Sequence, residues 1–127
     1  MVDMRRLIVT EFDRLYHAAT SPVDPDDPTY IPDPPLPGNI KWLAWGVYAP
    51  NYRMAVFSWR SCSEDGIQAM QDYLERHGLD RSVIDQIEWP TCKPADAAMF
   101  VDARAFRYAG VPPTAADMDN FRPWGSP

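Results

Sequence analysis

The stretch IKWLAWGVYAPNYRMAVFSWR, residues 40–60, decides the predicted fold. It contains two runs of aromatic and β-branched residues, separated by a short Ala-Pro-Asn segment at residues 49–51. Such runs on either side of turn-forming residues are typical of a β-hairpin. Both faces of each run are apolar along most of their length. This indicates central strands covered on both sides, or one face that docks a partner.

Helices and one further strand are predicted around this hairpin. Residues 63–77 combine a Ser cap, two early acidic residues and an apolar stripe, which predict a helix. Residues 4–19 and 95–109 also show helical spacing, although RRLIVTEF at residues 5–12 competes as a strand. Residues 83–89 fit either a strand or a short helix, and we expect a strand that stops before Pro90.

The predicted fold class is α+β. A small, mainly antiparallel sheet is formed by the hairpin 40–60 and a third strand over 83–89, and helices pack on it. The length of 127 residues fits one domain, residues 1–127. This domain includes an extended proline-rich arm over residues 20–39 and a proline-punctuated tail over residues 111–127.

The arm is stiff and acidic. Residues 20–39 contain seven prolines, four aspartates and no Lys or Arg. Each proline fixes φ and removes a backbone donor, so that a helix and a central strand are both excluded and a polyproline-like path is predicted. Residues 39–110, in contrast, carry 8 basic and 9 acidic residues and are close to neutral.

The net charge of −6 limits the classes of partner. Free nucleic acid is excluded as the main ligand because phosphate binding needs a basic footprint. The N-terminal sequence lacks a secretory signal, and no apolar run reaches the roughly 20 residues of a membrane span. We therefore expect a cytoplasmic protein with reduced thiols, although a disulfide between Cys62 and Cys92 remains open.

No motif predicts a catalytic residue, a metal site or a cofactor. Cys62 lies near the start of a predicted helix, where a thiol pKa falls, but it lacks a base. His77 lies on the same helix about 22 Å away, at about 1.5 Å per residue. The Cys and His spacing matches no zinc pattern, and there is no glycine-rich phosphate loop.

We therefore expect a non-enzymatic binding protein, while leaving an enzyme open. It would be an inhibitor or adaptor of the phage anti-defence or toxin-immunity type, docking on a basic protein surface such as that of a nucleic-acid-processing complex. The predicted partner-binding residues are Asp24, Asp26, Asp27, Tyr30, Asp33 and Trp42. Two alternatives are a small enzyme or ligand-binding domain with an aromatic-lined pocket on the hairpin sheet, and a structural or assembly subunit.

Overall fold

A computed structural model describes residues 4–102 together with Ala115 and Met118. The elements in chain order are β1 (Arg6–Glu11), α1 (Pro37–Tyr48), β2 (Tyr52–Phe57), a 3-10 helix (Trp59–Cys62), α2 (Glu64–Arg76), α3 (Arg81–Ile84) and β3 (Met99–Val101). The strands form one sheet in the order β2-β1-β3, and both pairings are parallel. The α+β class is confirmed, but the mainly antiparallel sheet is wrong.

Residues 40–60 form a helix and a strand rather than a hairpin. Helix α1 begins at Pro37, in the first turn, where a missing N–H costs no hydrogen bond. Its buried residues recur at steps of three and four: Asn39, Ile40, Leu43 and Gly46. This helical period outweighs the β propensity of the Trp, Tyr and Val side chains. The arm therefore ends at Leu36 rather than at residue 39.

Strand β1 replaces the helix predicted over residues 4–19. It is the central strand, and residues 7–10 are all buried. A parallel strand covered on both faces is a continuous apolar run without alternation. Because the apolar residues do not alternate, the sequence lacked the usual sign of a strand. The helix predicted over residues 4–19 is therefore wrong.

Helix α2 confirms the prediction over residues 63–77. Ser63 caps it by accepting a hydrogen bond from the Gly66 amide at 3.0 Å. A side chain at Gly66 would collide with the Arg60 carbonyl, so the absence of a Cβ lets α2 pack against the 3-10 helix. His77 is the C-cap, and Gly78 follows with φ of 106°.

The remaining elements differ from the prediction. The strand expected over residues 83–89 is wrong: α3 occupies its start, and Glu88 forms only an isolated parallel bridge with Ala55. The helix expected over 95–109 is wrong where it is described, because β3 lies there. Its residues from 103 onward, and most of the tail 111–127, lie outside the described residues.

The helices pack on one face of the sheet. The main core joins alternate residues of the strands, such as Ile8 and Met54, with Leu43 of α1, Leu74 of α2 and Ile84 of α3. The opposite face carries a smaller cluster formed by Leu7, Val9 and Ala55. In the part of the chain that the structure describes, no helix is long and apolar enough to cross a membrane.

Candidate functional site

The carboxyl ends of the three parallel strands meet at one edge of the sheet. Glu11 ends β1, Asp13 follows it, Ser58 and Arg60 follow β2, and Asp102 follows β3. The chain crosses from β1 to β2 on one side and then to β3 on the other. In open parallel sheets, ligands bind outside the carboxyl ends of the strands at such a reversal.

A cavity of about 360 Å³ lies at this edge, between the strand ends and the arm. Its volume lies within the range of small-molecule sites. The lining residues come from the end of β1 and the segment after it, from the arm, from the segment after β2, and from the segments before and after β3. They are Glu11, Asp13, Arg14, His17, Ala19, Ser21, Pro22, Val23, Tyr30, Pro32, Asp33, Trp59, Arg60, Lys93 and Asp102.

Asp13 is the centre of a hydrogen-bond network in the cavity wall. His17 Nε2 lies 2.8 Å from Asp13 Oδ1, and Arg60 Nε donates to the same oxygen at 3.2 Å. Ser58 Oγ donates to Asp13 Oδ2 at 2.5 Å. Burial raises the pKa of the Asp13 carboxyl, but the hydrogen bonds from His17 and Ser58 and the charge of Arg60 outweigh burial and lower this pKa to about 2. Asp13 is therefore an anion at neutral pH.

Glu11 has the opposite shift. Burial, the negative charge of Asp13, a hydrogen bond to Asp13 and the charge of Asp102 raise the pKa of Glu11 from 4.5 to about 8. At pH 7 the Glu11 carboxyl is therefore mostly protonated and donates to the Asp13 carboxylate. Two neighbouring carboxyls that share one proton in this way titrate as a pair. The cavity wall thus holds a proton donor whose pKa lies near neutral pH.

Two further polar atoms in the cavity wall have no hydrogen-bond partner within the described part of the chain. His17 is only 2% exposed, and its ring packs against Phe12 and Tyr73. Its Nδ1 atom and the indole Nε1 of Trp59 are buried without a hydrogen-bond partner among the described residues. Since buried polar groups in proteins are nearly always paired, these atoms are available to the polar groups of a ligand.

Arg60 connects the sheet edge to the arm. Its side chain is 3% exposed, and Nη1 donates to the carbonyls of Pro28 at 2.9 Å and Tyr30 at 2.7 Å. The arm is not extended: the amides of Asp27 and Tyr30 donate to the carbonyls of Asp24 and Asp27 and form two consecutive turns. The proline-rich segment therefore folds over the sheet edge instead of projecting from it.

Asp33 holds the far end of the arm. Its carboxylate accepts hydrogen bonds from Thr20 Oγ1 at 3.1 Å, Ser21 Oγ at 2.7 Å and the Ser21 amide at 3.1 Å. Tyr73 of α2 donates to the Asp33 carbonyl at 2.9 Å. The arm is thus fixed at both ends, and its conformation is set before any ligand binds.

Positive charge lies at the rim of the cavity. Arg14 and Lys93 line it, and both are exposed. Arg14 also has a left-handed backbone with φ of 71°, as does Ala19 with φ of 52°. Side-chain-bearing residues adopt this region rarely, and such strain concentrates at binding and catalytic sites. Both residues flank the segment that carries His17.

The predicted partner-binding residues divide between the cavity and other places. Tyr30 and Asp33 line the cavity. Asp24, Asp26 and Asp27 lie on the turns of the arm, where Asp24 accepts from the Asp26 amide and Asp27 from Thr29. Trp42 lies on α1 and packs, half-buried, against the core.

The sequence interpretation missed Glu11, Asp13, Ser58, Lys93 and Asp102. A signal for Glu11 and Asp13 was present in RRLIVTEFD at residues 5–13, because a buried strand that ends in acidic residues places them at a sheet edge. Assigning this stretch to a helix removed that inference. Arg60 and Ser58 had no comparable signal, since their role depends on contacts across 47 and 45 residues of chain.

The cysteines do not take part in this site. Cys62 and Cys92 are free and exposed, and neither lines the cavity. Among the described residues, no group of three or more His, Cys, Asp and Glu side chains is arranged to hold a metal ion.

The comparisons with known proteins add no relative. Neither a protein family model, a curated protein nor a solved structure matches this chain.

Proposed function

We propose that this protein is a small hydrolytic enzyme that acts on phosphate monoesters at the carboxyl edge of its sheet. The observation that carries the proposal is a cavity of small-molecule size at this edge, whose wall brings the Glu11 and Asp13 carboxyls together with the cations Arg14 and Lys93. Glu11 is the catalytic residue, and Asp13 is a positioning residue that holds its proton. The proposed site is therefore a largely polar pocket at the strand ends, and not the aromatic-lined pocket expected on a hairpin sheet.

Beside the carboxylates of Asp13, Asp33 and Asp102, two features of the cavity lining suit this substrate class. Cleaving a phosphate monoester requires a proton for the leaving oxygen and positive charge near the other phosphate oxygens. Protonated Glu11 supplies the first, and the exposed Arg14 and Lys93 supply the second. Asp13 is a weak base, because its pKa is about 2, and its oxygens already accept hydrogen bonds from Ser58, His17 and Arg60.

In the proposed reaction, water attacks phosphorus, and the bond from phosphorus to the leaving oxygen breaks. Glu11 gives its proton to that oxygen, the proton of the attacking water passes to solvent, and Glu11 is protonated again from solvent. The protein contributes the proton, the positive charge and the orientation of both partners.

The test is an assay of the purified chain on aryl and alkyl phosphate monoesters, with the matching carboxylate esters as the control series. We expect release of inorganic phosphate, at a rate that falls as pH rises through about 8, because Glu11 then loses its proton. A folded chain that hydrolyses none of the phosphate esters, or carboxylate esters alone, would contradict the proposal.

A second function, docking on a basic protein surface, is favoured by the turns of the arm. Asp24 and Asp26 are exposed, Asp27 is half-buried, and none of the three forms a salt bridge with another described residue. Local hydrogen bonds fix these turns, which lowers the entropy lost on docking. This proposal uses the carboxylates of Asp24, Asp26 and Asp27 together with Tyr30, because Asp33 is occupied by Thr20 and Ser21.

The corresponding prediction concerns association. Changing Asp24, Asp26 and Asp27 together to Asn should slow association with a partner captured from the native host about tenfold or more at low salt, because electrostatic steering is lost. Stopped-flow mixing measures this rate, and added salt should slow the parent chain in the same way. Asp72, Asp80 and Asp85, changed together to Asn, form a control of equal charge on α2 and around α3. Equal slowing by both triple variants would refute a specific role for the arm.

A further inference from the structure

The arm-side wall of the cavity is apolar and exposed. Val23 and Tyr30 line the cavity and are 61% and 52% exposed. They are two of the five exposed large hydrophobic residues in the described part of the chain. Pro22 and Pro32 line the same wall. An apolar patch beside polar groups in one cavity is typical of a ligand site.

This wall is held in place by the buried network. The carbonyl of Tyr30 accepts from Arg60 Nη1 at 2.7 Å, and Arg60 Nε donates to Asp13. Two residues after Tyr30, Pro32 fixes φ, and Asp33 then ties the chain to Ser21. The position of the Tyr30 backbone is therefore tied, through Arg60, to the Asp13 carboxylate at the strand ends.

The two walls differ in chemistry. His17, Asp33 and Arg60 form the buried part of the lining, and Glu11 and Asp13 are half-buried beside them. The exposed part consists of the cations Arg14 and Lys93 and the apolar arm residues. A ligand that presents a charged group to the strand ends and an apolar group to the arm would match this lining.

We propose that the ligand carries a planar apolar group next to its phosphate, and that Tyr30, with Val23 and Pro32, binds this group. An aryl phosphate has this chemistry, and so does any phosphate whose nearest substituent is an aromatic ring. The inference rests on the proposed function, since it assumes that the charged end of the ligand lies at Glu11. Tyr30 is then the residue that selects among phosphate monoesters, because stacking between two aromatic rings stabilises the bound complex.

The test compares two phosphonates that differ only in the apolar group and cannot be hydrolysed as esters. Calorimetric titration of the full chain with phenylphosphonate and methylphosphonate gives the two dissociation constants. We expect phenylphosphonate to bind about tenfold tighter to the parent chain, and we expect Tyr30→Ala to remove this preference. The affinity of Tyr30→Ala for methylphosphonate should equal that of the parent, which also shows that the variant is folded.

Tyr48→Ala is the matched control, because Tyr48 is 66% exposed at the end of α1 and does not line the cavity. It should keep the full preference for phenylphosphonate. Equal affinity of the parent for the two phosphonates, or a preference that survives in Tyr30→Ala, would overturn this inference alone. A parent chain that binds neither phosphonate would overturn the proposed function as well.

Discussion

The Glu11→Gln variant should hydrolyse phosphate monoesters about 100- to 10,000-fold more slowly than the parent chain. Glutamine keeps the size of the side chain and can donate a hydrogen bond to Asp13, but it has no proton to give to a leaving oxygen. The loss should appear in kcat and not in KM, because the proton transfer takes place only in the transition state. Steady-state kinetics on an aryl phosphate measures both constants.

The pH dependence of the folding stability shows whether Glu11→Gln has lost only the acid or has also disturbed the fold. The folded parent keeps the Glu11 proton up to a pKa of about 8, whereas the unfolded chain releases it at about 4.5. The folded state therefore binds more protons between these values, and the parent should lose stability as pH rises from 4.5 to 8. Glu11→Gln should lack this loss.

Glu75→Gln is the control for Glu11→Gln. Glu75 is exposed on α2, and its carboxylate forms a long ion pair of 3.9 Å with Arg81. It should retain parental turnover and the parental pH dependence of stability. Turnover of Glu11→Gln within threefold or so of Glu75→Gln would show that Glu11 does not transfer a proton, since general acid catalysis contributes at least about 100-fold.

Asp13→Ala should lower the free energy of unfolding by about 3–5 kcal/mol, because it leaves a buried charge without its partner. Arg60 is 3% exposed and would lose its only described carboxylate. His17 would lose the partner of Nε2, and Ser58 the partner of its hydroxyl. Urea denaturation at neutral pH, above the Asp13 pKa of about 2, measures the difference.

Asp72→Ala provides the contrast for Asp13→Ala. Asp72 lies 3.8 Å from Arg81, and both side chains are substantially exposed, at 53% and 39%. Such a pair contributes about 0–1 kcal/mol. If the two variants lose the same stability, the Asp13 network is not a buried structural element. Failure of Asp13→Ala alone to fold would agree with the account.

Local signals predicted α2 and could not predict the sheet. Ser63, the early acidic residues and Gly78 specify the start and the end of α2 within a few residues of chain, so the sequence was sufficient there. Strand β1 pairs instead with residues more than forty positions away, from Arg6 with Tyr52 to Glu11 with Phe57. Pairing at that distance leaves no local trace beyond an apolar run, which a helix also accepts.

In the candidate site, too, local sequence predicted some features, while others depend on contacts between distant residues. Tyr30 and Asp33 were singled out as exposed and acidic features of the arm, and both line the cavity for reasons that the local sequence does not contain. The arm folds because Arg60, thirty residues beyond Tyr30, donates to its carbonyls. The proline content predicted stiffness, but the direction of the arm depends on contacts such as this one and the hydrogen bond from Tyr73 to the Asp33 carbonyl.

Carboxyl 13C NMR of the intact chain, with the Glu side chains labelled, tests the central claim most directly. The titration follows each Glu carboxyl through its own pKa, and Glu11→Gln assigns the resonance of Glu11. We expect the Glu11 carboxyl to remain protonated through neutral pH and to titrate at about 8. Titration of Glu11 near its ordinary value of 4.5 would contradict the shared proton, and with it the acid on which the proposed reaction depends.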